Sequence, residues 1–228
     1  MEYRSAFPGR VIFDHLPKSA GQAVNAWLRM TLGPACVTTN LIGSHRELIR
    51  QYGGDYSIIS AHIKFSGEGL DPRYQYVACL REPIDRALSW LFFVIKNHQE
   101  AELSKSWAAA KDYINVDSVW ADVMSFVESE GEIIRNGVGF NTIGHHIVNP
   151  YVEHFAAIEG STLGLSDAEK IEKALIAINQ FAVWGVYEQL PIFLADFSAL
   201  LGMPAPDAID RVNVTRDRPS VNVISAKL

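Results

Sequence analysis

The chain has 228 residues, 48% of them hydrophobic and 20% charged, a composition that excludes a disordered or low-complexity protein. Its 26 Asp and Glu residues outnumber 20 Lys and Arg residues, so the net charge is −6. Proteins that bind nucleic acids or anionic membranes are usually basic, and we therefore expect neither partner. An anionic ligand would have to be bound by a few local positive groups.

The sequence carries no targeting or membrane signal that we recognise. The first fifteen residues lack the apolar stretch of a secretory signal, and the longest apolar run, Trp90–Ile95, is too short to span a bilayer. Two cysteines, Cys36 and Cys79, are too few for a disulfide framework, and the apolar run around Cys79 predicts a buried free thiol. We expect a cytoplasmic protein with no membrane span.

Short apolar runs alternate with helical patterns along the chain. Four runs predict buried strands: Arg10–His15, Tyr56–Ala61, Tyr74–Leu80 and Phe181–Tyr187. Apolar residues at helical spacing predict helices over residues 20–32, 44–52, 83–95, 166–178 and 190–201. Residues 100–131 have a weaker helical pattern, and residues 137–155 predict irregular structure. The alternation is typical of βαβ units, so we predict an α/β fold with a mostly parallel sheet flanked by helices on both faces.

Ligands of such sheets bind beyond the carboxyl ends of the strands, and the first strand is followed there by the loop Pro17–Gln22. A lysine, Lys18, beside the backbone N–H groups of a helix N-terminus suits a phosphate-type anion. The Walker A spacing is absent, because Lys18 precedes Gly21 rather than following a glycine. An ordinary surface turn with a solvated lysine explains these residues equally well.

The strand Tyr74–Leu80 is followed by Arg81, and Ser89 lies on the next predicted helix. A guanidinium at a strand end offers a planar pair of donors suited to a phosphate. An ion pair of Arg81 with Glu82 or Asp85 is the structural alternative.

Together these stretches resemble a known pattern. Pro17-Lys18-Ser19-Ala20-Gly21 and Arg81-Glu82-Pro83 with Ser89 are similar to the two cofactor motifs of sulfotransferases that use 3′-phosphoadenosine 5′-phosphosulfate (PAPS). The branch resembled most is the carbohydrate O-sulfotransferases related to heparan sulfate 2-O-sulfotransferase. The likeness continues through Ala61-His62-Ile63, Asn141-Thr142, Val183–Leu201 and Val212–Pro219. It implies a single P-loop-NTPase-like domain over residues 1–228, with an acceptor-side region at about 96–149.

The resemblance also implies roles for individual residues. Lys18 would contact the transferring sulfuryl group, and His62 would be the general base that takes the proton of the acceptor hydroxyl. The implied cofactor-binding residues are Lys18, Ser19, Ala20, Gly21, Gln22, Ala23, Arg81, Ser89, Arg216 and Arg218. Arg81 and Ser89 would hold the 3′-phosphate. Where the family has Thr and Ser, this chain has Gln22 and Ala23, so two hydroxyls are missing.

The implied reaction is an in-line transfer of the sulfuryl group from PAPS to a hydroxyl, leaving adenosine 3′,5′-bisphosphate. We expect a carbohydrate or glycoconjugate acceptor. His145, His146 and His154 invite a metal site, but they lack the H-E-x-x-H spacing and a cysteine partner, so we expect no metal. Two other functions remain open, a P-loop-type nucleotide kinase and a non-catalytic nucleotide-binding protein on the same fold.

Overall fold

The computed structural model describes residues 9–99 and 147–210, which form an α/β fold with a five-stranded, all-parallel sheet. The strands are β1 (Val11–Asp14), β2 (Leu41–Ser44), β3 (Ile58–Lys64), β4 (Gln75–Leu80) and β5 (Val183–Val186). The helices are α1 (Gly21–Leu32), α2 (His45–Tyr52), α3 (Pro83–Gln99), α4 (Pro150–Ala156), α5 (Asp167–Ile178) and α6 (Leu190–Leu200). Short 3-10 helices lie at Ala157–Glu159 and Tyr187–Gln189. The predicted α/β class and parallel sheet are confirmed.

The described residues divide into two compact units. Residues 9–82 and 151–210 form the first unit, which contains the whole sheet, and residues 83–99 and 147–150 belong to the second. The single domain over 1–228 stays a prediction, and most of its acceptor-side region at about 96–149 lies outside the described residues. Among the described helices, none combines the length and apolar character needed to cross a membrane.

The order of the strands, β2-β3-β1-β4-β5, puts β1 at the centre of the sheet. Asp14, the last residue of β1, is level with Ala61 of β3 and Ala78 of β4. The chain leaves β1 towards β2 on one side and leaves β4 towards β5 on the other. The strand order therefore changes direction between the carboxyl ends of β1 and β4, and at such a switch point open α/β sheets have a crevice in which ligands bind.

Alternate side chains of β1 enter two separate hydrophobic cores. Ile12 packs with Ile59, Tyr76 and the helices α2, α4 and α5 on one face of the sheet. Val11 and Phe13 pack on the other face against α1 and α6. A strand buried on both faces must be apolar at successive positions, as the run VIF in β1 is.

Local sequence signals account for the starts of α5 and α2. Ser166 caps α5, and Glu169 bonds back to Ser166, which completes a capping box. Ser44 caps α2 by accepting a hydrogen bond from the backbone N–H of Glu47. Burial of Cys79 is also confirmed, since 1% of this residue is exposed and burial raises the pKa of its thiol to about 12.

Three expectations differ from the structure. The strand β2 was not predicted, because its four residues are only partly buried and too few to show a periodicity. His62 lies inside β3 rather than in the loop after it, because the strand continues to Lys64. Part of the segment expected to be irregular is the helix α4, which begins at Pro150, a residue favoured in the first turn of a helix.

Candidate functional site

The loop between β1 and α1 meets Arg81 at the crevice between β1 and β4. The guanidinium of Arg81 donates a hydrogen bond from Nη1 to the carbonyl oxygen of Lys18 at 3.0 Å. The same guanidinium lies over the ring of Tyr187, 4.7 Å from its centroid. The two positive residues that the sequence singled out, 63 positions apart, are thus brought together at one edge of the sheet.

The backbone of this loop has an unusual conformation. Lys18 and Ala20 have left-handed φ angles of 67° and 62°, although neither is glycine. Left-handed residues interspersed in a turn direct successive N–H groups into one concavity, the arrangement called an anion nest. Ala20 is also the N-cap of α1 and has no side-chain acceptor for the first N–H groups of the helix. The loop can therefore offer backbone donors to an anion.

Tyr151 of α4 connects the loop to the end of β4. Its hydroxyl donates to the carbonyl oxygen of Arg81 at 2.8 Å and accepts from the N–H of Arg81 at 2.9 Å. It also lies 3.5 Å from the hydroxyl of Ser19, whose side chain is buried. Tyr151 thus joins the Lys18 loop to the end of β4 on the two sides of the crevice.

His15 packs against the start of α1, and its ring explains why residue 21 is glycine. Its buried ring stacks on Phe13, with centroids 6.1 Å apart, and Nδ1 is 3.1 Å from the side-chain oxygen of Asn40. A Cβ atom at Gly21 would lie 1.7 Å from Cδ2 of His15 and 2.3 Å from Nε2. Only glycine allows α1 to start this close to the ring.

His62 contacts His15 in two ways. Its Nδ1 is hydrogen-bonded to the backbone carbonyl of His15, and the two ring centroids are 4.3 Å apart. Because a carbonyl only accepts, Nδ1 carries the hydrogen, and the lone pair of the neutral ring is on Nε2. Burial lowers the pKa of His62, while the His15 carbonyl opposes that shift. A neutral imidazole with a fixed tautomer is suited to accept a proton.

A second pair of residues, not predicted as a pair, lies at the end of β1. Asp14 is completely buried, and its Oδ2 lies 2.6 Å from Nε2 of His154 on α4. The two residues are 140 positions apart, so no local sequence signal could have joined them. His154 is therefore in contact with a carboxylate in the structure, whereas the sequence had suggested it only as a member of a histidine cluster.

The other predicted residues fall in different places. Gly21, Gln22 and Ala23 form the first turn of α1. Ser89 is buried on α3, in the second unit. Arg216, Arg218, His145 and His146 lie outside the described residues. Within residues 9–99 and 147–210, no three His, Cys, Asp or Glu side chains are grouped so that they could hold a metal ion.

A second positive cluster lies at the amino-terminal ends of the strands β1 and β4. There a cavity of about 380 Å³ is lined by Arg10, Arg46, Arg50 and Arg73, together with Asp71. The hydrogen bonds from Arg73 are the main cause that lowers the pKa of Asp71 to about 2, and Arg46 also bonds to this carboxylate. Two of the four arginines, Arg46 and Arg73, thus neutralise the buried carboxylate of Asp71, which is a structural role.

Compared with known proteins, the chain matches no protein-family model and no curated protein.

The packing of His15 on Gly21 predicts a non-additive pair of substitutions. Gly21→Ala should lower the free energy of unfolding by about 1–3 kcal/mol, because the fixed ring of His15 leaves no room for a methyl group. The double variant His15→Ala/Gly21→Ala should lose less than the sum of the two single losses. Urea unfolding measures all three values.

Gly54→Ala is the matched control, since a Cβ at Gly54 meets nothing within 4 Å. Equal losses at Gly21 and Gly54, or strictly additive losses in the double variant, would show that the His15 contact does not constrain the loop.

The buried histidines predict that stability declines in mild acid. Burial, and next the neighbouring His62, hold the pKa of His15 well below 6.5, so the unfolded chain binds the proton more tightly than the folded one. The contribution of neutral His15 to the free energy of unfolding is complete above about pH 6.5 and is lost as the pH falls below that value. The slope reaches about 1.4 kcal/mol per pH unit for one proton. Urea unfolding from pH 8 to pH 5.5 should show this decline, and His15→Asn should make it shallower; an unchanged slope would contradict the assignment.

Proposed function

We propose that the protein is a sulfotransferase that transfers the sulfuryl group of PAPS to a hydroxyl acceptor, which we expect to be a carbohydrate. The observation that carries the proposal is the contact of Arg81 with the Lys18 loop at neighbouring strand ends. PAPS has an anionic group at each end of its ribose, the 5′-phosphosulfate and the 3′-phosphate. A ligand of this kind needs two positive sites beside one nucleoside, and we assign Lys18 and Arg81 to these two sites.

The fold supports the same proposal. An anion-binding loop between the central strand β1 and the helix α1, at a switch in strand order, is the arrangement expected of a P-loop-NTPase-like domain. The Walker A spacing is absent, and the loop conformation depends on Lys18 and Ala20 instead. The missing hydroxyls at Gln22 and Ala23 matter less if backbone N–H groups bind the anion, since these donors do not depend on the side chain.

The proposed reaction is a displacement at sulfur. The acceptor oxygen forms a bond to sulfur while the bond from sulfur to the 5′-phosphate oxygen breaks, and the electron pair leaves with that oxygen. Lys18 and the loop N–H groups stabilise the charge that develops there, which is usually the largest catalytic contribution. Nε2 of His62 takes the proton of the acceptor hydroxyl, because Nδ1 is engaged with the carbonyl of His15.

Two features of the site favour transfer over binding alone. Burial lowers the pKa of His62, and the hydrogen bond of its Nδ1 to the His15 carbonyl leaves Nε2 as the proton acceptor. The loop also holds two non-glycine residues in the left-handed region, a conformation that costs about 1–3 kcal/mol per residue and that clusters at functional sites.

Arg81 should discriminate between nucleotides. Arg81→Lys should lower the affinity for adenosine 3′,5′-bisphosphate by roughly ten- to a hundredfold, because a lysine cannot form the bidentate contact with the 3′-phosphate. Adenosine 5′-monophosphate, which lacks that phosphate, should bind as before. Isothermal titration calorimetry measures both affinities, and Arg50→Lys, at the amino-terminal ends of the strands, serves as the control. Equal losses for the two nucleotides would mean that Arg81 only supports the Lys18 loop.

The activity itself is tested with PAPS labelled in the sulfuryl group. We expect the wild-type chain to label at least one member of a panel of glycans, glycolipids and small alcohols. His62→Asn should bind adenosine 3′,5′-bisphosphate normally and transfer label roughly a hundred- to ten-thousandfold more slowly. Because a base acts when deprotonated and the pKa of His62 is lowered, wild-type activity should persist below pH 6.5 and fall only at lower pH.

Each contrary outcome has a defined meaning. Binding of the bisphosphate without transfer to any acceptor would favour a non-catalytic nucleotide-binding protein. Transfer of a phosphoryl group from ATP would favour a nucleotide kinase. Normal turnover in His62→Asn would remove His62 from the role of base.

A further inference from the structure

The cavity lined by arginines lies at the other end of β1 from the Lys18 loop. Arg10 directly precedes β1, whereas Lys18 follows it, so the strand separates the cavity from the candidate site. The helix α2 and the segment before β4 complete the walls of the cavity. Its volume of about 380 Å³ falls in the range of sites for small molecules. The cavity is therefore large enough for a ligand of its own.

Two of the four arginines in this cavity are neutralised within the protein. Arg73 donates to both carboxylate oxygens of Asp71, at 3.0 Å and 2.7 Å, and Arg46 donates to the same carboxylate at 3.2 Å. Arg46 also lies 3.4 Å from the carboxylate of Glu68. Since Asp71 is only 2% exposed, its two partners are needed to compensate a buried charge. These contacts do not involve the other two arginines.

Arg10 differs from this pair because its contacts are with neutral groups. Its Nη1 donates to the carbonyl oxygen of Gly53 and to the hydroxyl of Tyr74, the latter at 3.3 Å. Within residues 9–99 and 147–210, no carboxylate lies within ion-pair distance of Arg10, and its Nε and Nη2 form no hydrogen bond. A guanidinium is always charged in proteins. Arg10 therefore brings an uncompensated positive charge and unused donors to the cavity.

The surroundings of Arg10 hold its guanidinium in place. Tyr74 is buried, and its hydroxyl lies close to the backbone of Gly53. A Cβ atom at Gly53 would lie 2.2 Å from that hydroxyl and 2.5 Å from the carbonyl oxygen of Ile49, which explains a glycine where φ has the ordinary helical value of −68°. A guanidinium that is fixed before binding loses little freedom when a ligand arrives.

Arg50, on α2, is held only by an exposed contact. Its Nη2 is 3.7 Å from the carboxylate of Glu47, and both side chains are more than half exposed. Exposed ion pairs three residues apart on a helix contribute little to stability. Glu47 also accepts a hydrogen bond from Gln51 at 3.1 Å, so it keeps a partner when Arg50 turns away. Arg50 can therefore exchange this contact for one with a ligand.

We propose that this cavity binds a small ligand that carries a phosphate or sulfate group, with Arg10 and Arg50 as the residues that bind the group. Guanidinium groups offer paired N–H donors that match the oxygens of these anions. The uncharged part of the lining, Ile49 with Gly53 and Gly54, leaves space beside the arginines for the organic part of such a ligand. The inference goes beyond the proposed function and does not depend on it.

Nuclear magnetic resonance of the isotope-labelled full chain tests the site directly. The backbone amides of Gly53 and Gly54 report on the cavity, and sodium chloride keeps the ionic strength constant. The probes are inorganic phosphate, inorganic sulfate, glucose 6-phosphate and glucose 6-sulfate. We expect shifts of these two amides that saturate, with dissociation constants in the millimolar range or below. Shifts that are absent or stay linear for all four probes would overturn the proposal.

The four probes also identify the source of the anionic group. Tighter binding of the sugar esters than of the free anions assigns the cavity to an organic monoester. Equal affinities assign it to the free anion. Both results support the anion site, since both require saturable binding at Gly53 and Gly54.

Two arginine variants of the same cavity separate direct binding from the general field. Arg10→Gln should lower the affinity by roughly ten- to a hundredfold, because a charge-assisted contact is lost. Arg73→Gln removes the same charge from the same cavity, but Arg73 is engaged with Asp71, so the loss should be clearly smaller. Equal losses in the two variants would overturn the assignment of Arg10.

A second pair of variants leaves the contacts of Arg10 intact. This pair is needed because Arg10 also donates to the C-cap carbonyl of α2, so Arg10→Gln lowers stability whatever its role in binding. Gly54 lines the cavity, its φ is not in the left-handed region, and a Cβ there meets nothing within 4 Å. Gly54→Asp should weaken the binding of all four probes several-fold by repulsion, whereas Gly54→Asn, of the same shape, should not. Equal affinities in these two variants would contradict an anion bound beside Gly54.

The site is distinguished from the crevice by one further control. Arg81→Lys, at the carboxyl end of β4, should bind the four probes as the wild type does. A loss in Arg81→Lys as large as that in Arg10→Gln would place the anion in the crevice and overturn the proposal. None of these measurements uses PAPS or an acceptor, so this inference and the proposed function fail separately.

Discussion

The parallel pairing of β1 with both β3 and β4 is the constraint on which the candidate site depends. It aligns Asp14 with Ala61 and Ala78, so that the segments following three strands emerge at one edge. The hydrogen bond from Arg81 to the carbonyl of Lys18 can form only because these two strand ends are adjacent. Both faces of β1 are buried, which leaves the end of the strand as the place where its polar residues Asp14 and His15 meet other polar groups.

Around this edge, backbone groups and rings hold the charged side chains in place. The carbonyl of His15 fixes the tautomer of His62, and the ring of His15 fixes the start of α1 at Gly21. The hydroxyl of Tyr151 holds the backbone of Arg81 by hydrogen bonds to the N–H and the carbonyl of Arg81. In a chain with a net charge of −6, an anionic ligand would have to be bound by this local arrangement rather than by the overall field.

The sequence predicted the features that depend on consecutive residues and missed those that depend on contacts between distant parts of the chain. The strands β1 and β4 and the helix α5 depend on patterns in consecutive residues, and they were predicted correctly. The short strand β2 and the extension of β3 through His62 depend on pairing with neighbours, which a periodicity does not contain. The contact of Asp14 with His154 depends on the docking of α4, a helix in a segment predicted to be irregular. The Lys18 loop and Arg81 could be singled out because each follows a strong strand, but their contact required the strand order.

Calorimetric titration of the wild-type protein with three adenosine nucleotides is the most direct test of a site for two anionic groups. Adenosine 3′,5′-bisphosphate should bind at one site, at least about tenfold more tightly than adenosine 5′-monophosphate, because one charge-assisted contact to the 3′-phosphate contributes about 1.5–3 kcal/mol. ATP with Mg²⁺ should bind no more tightly than the monophosphate. Equal affinities for the bisphosphate and the monophosphate, or tighter binding of ATP than of the bisphosphate, would contradict a crevice built for two separate anionic groups.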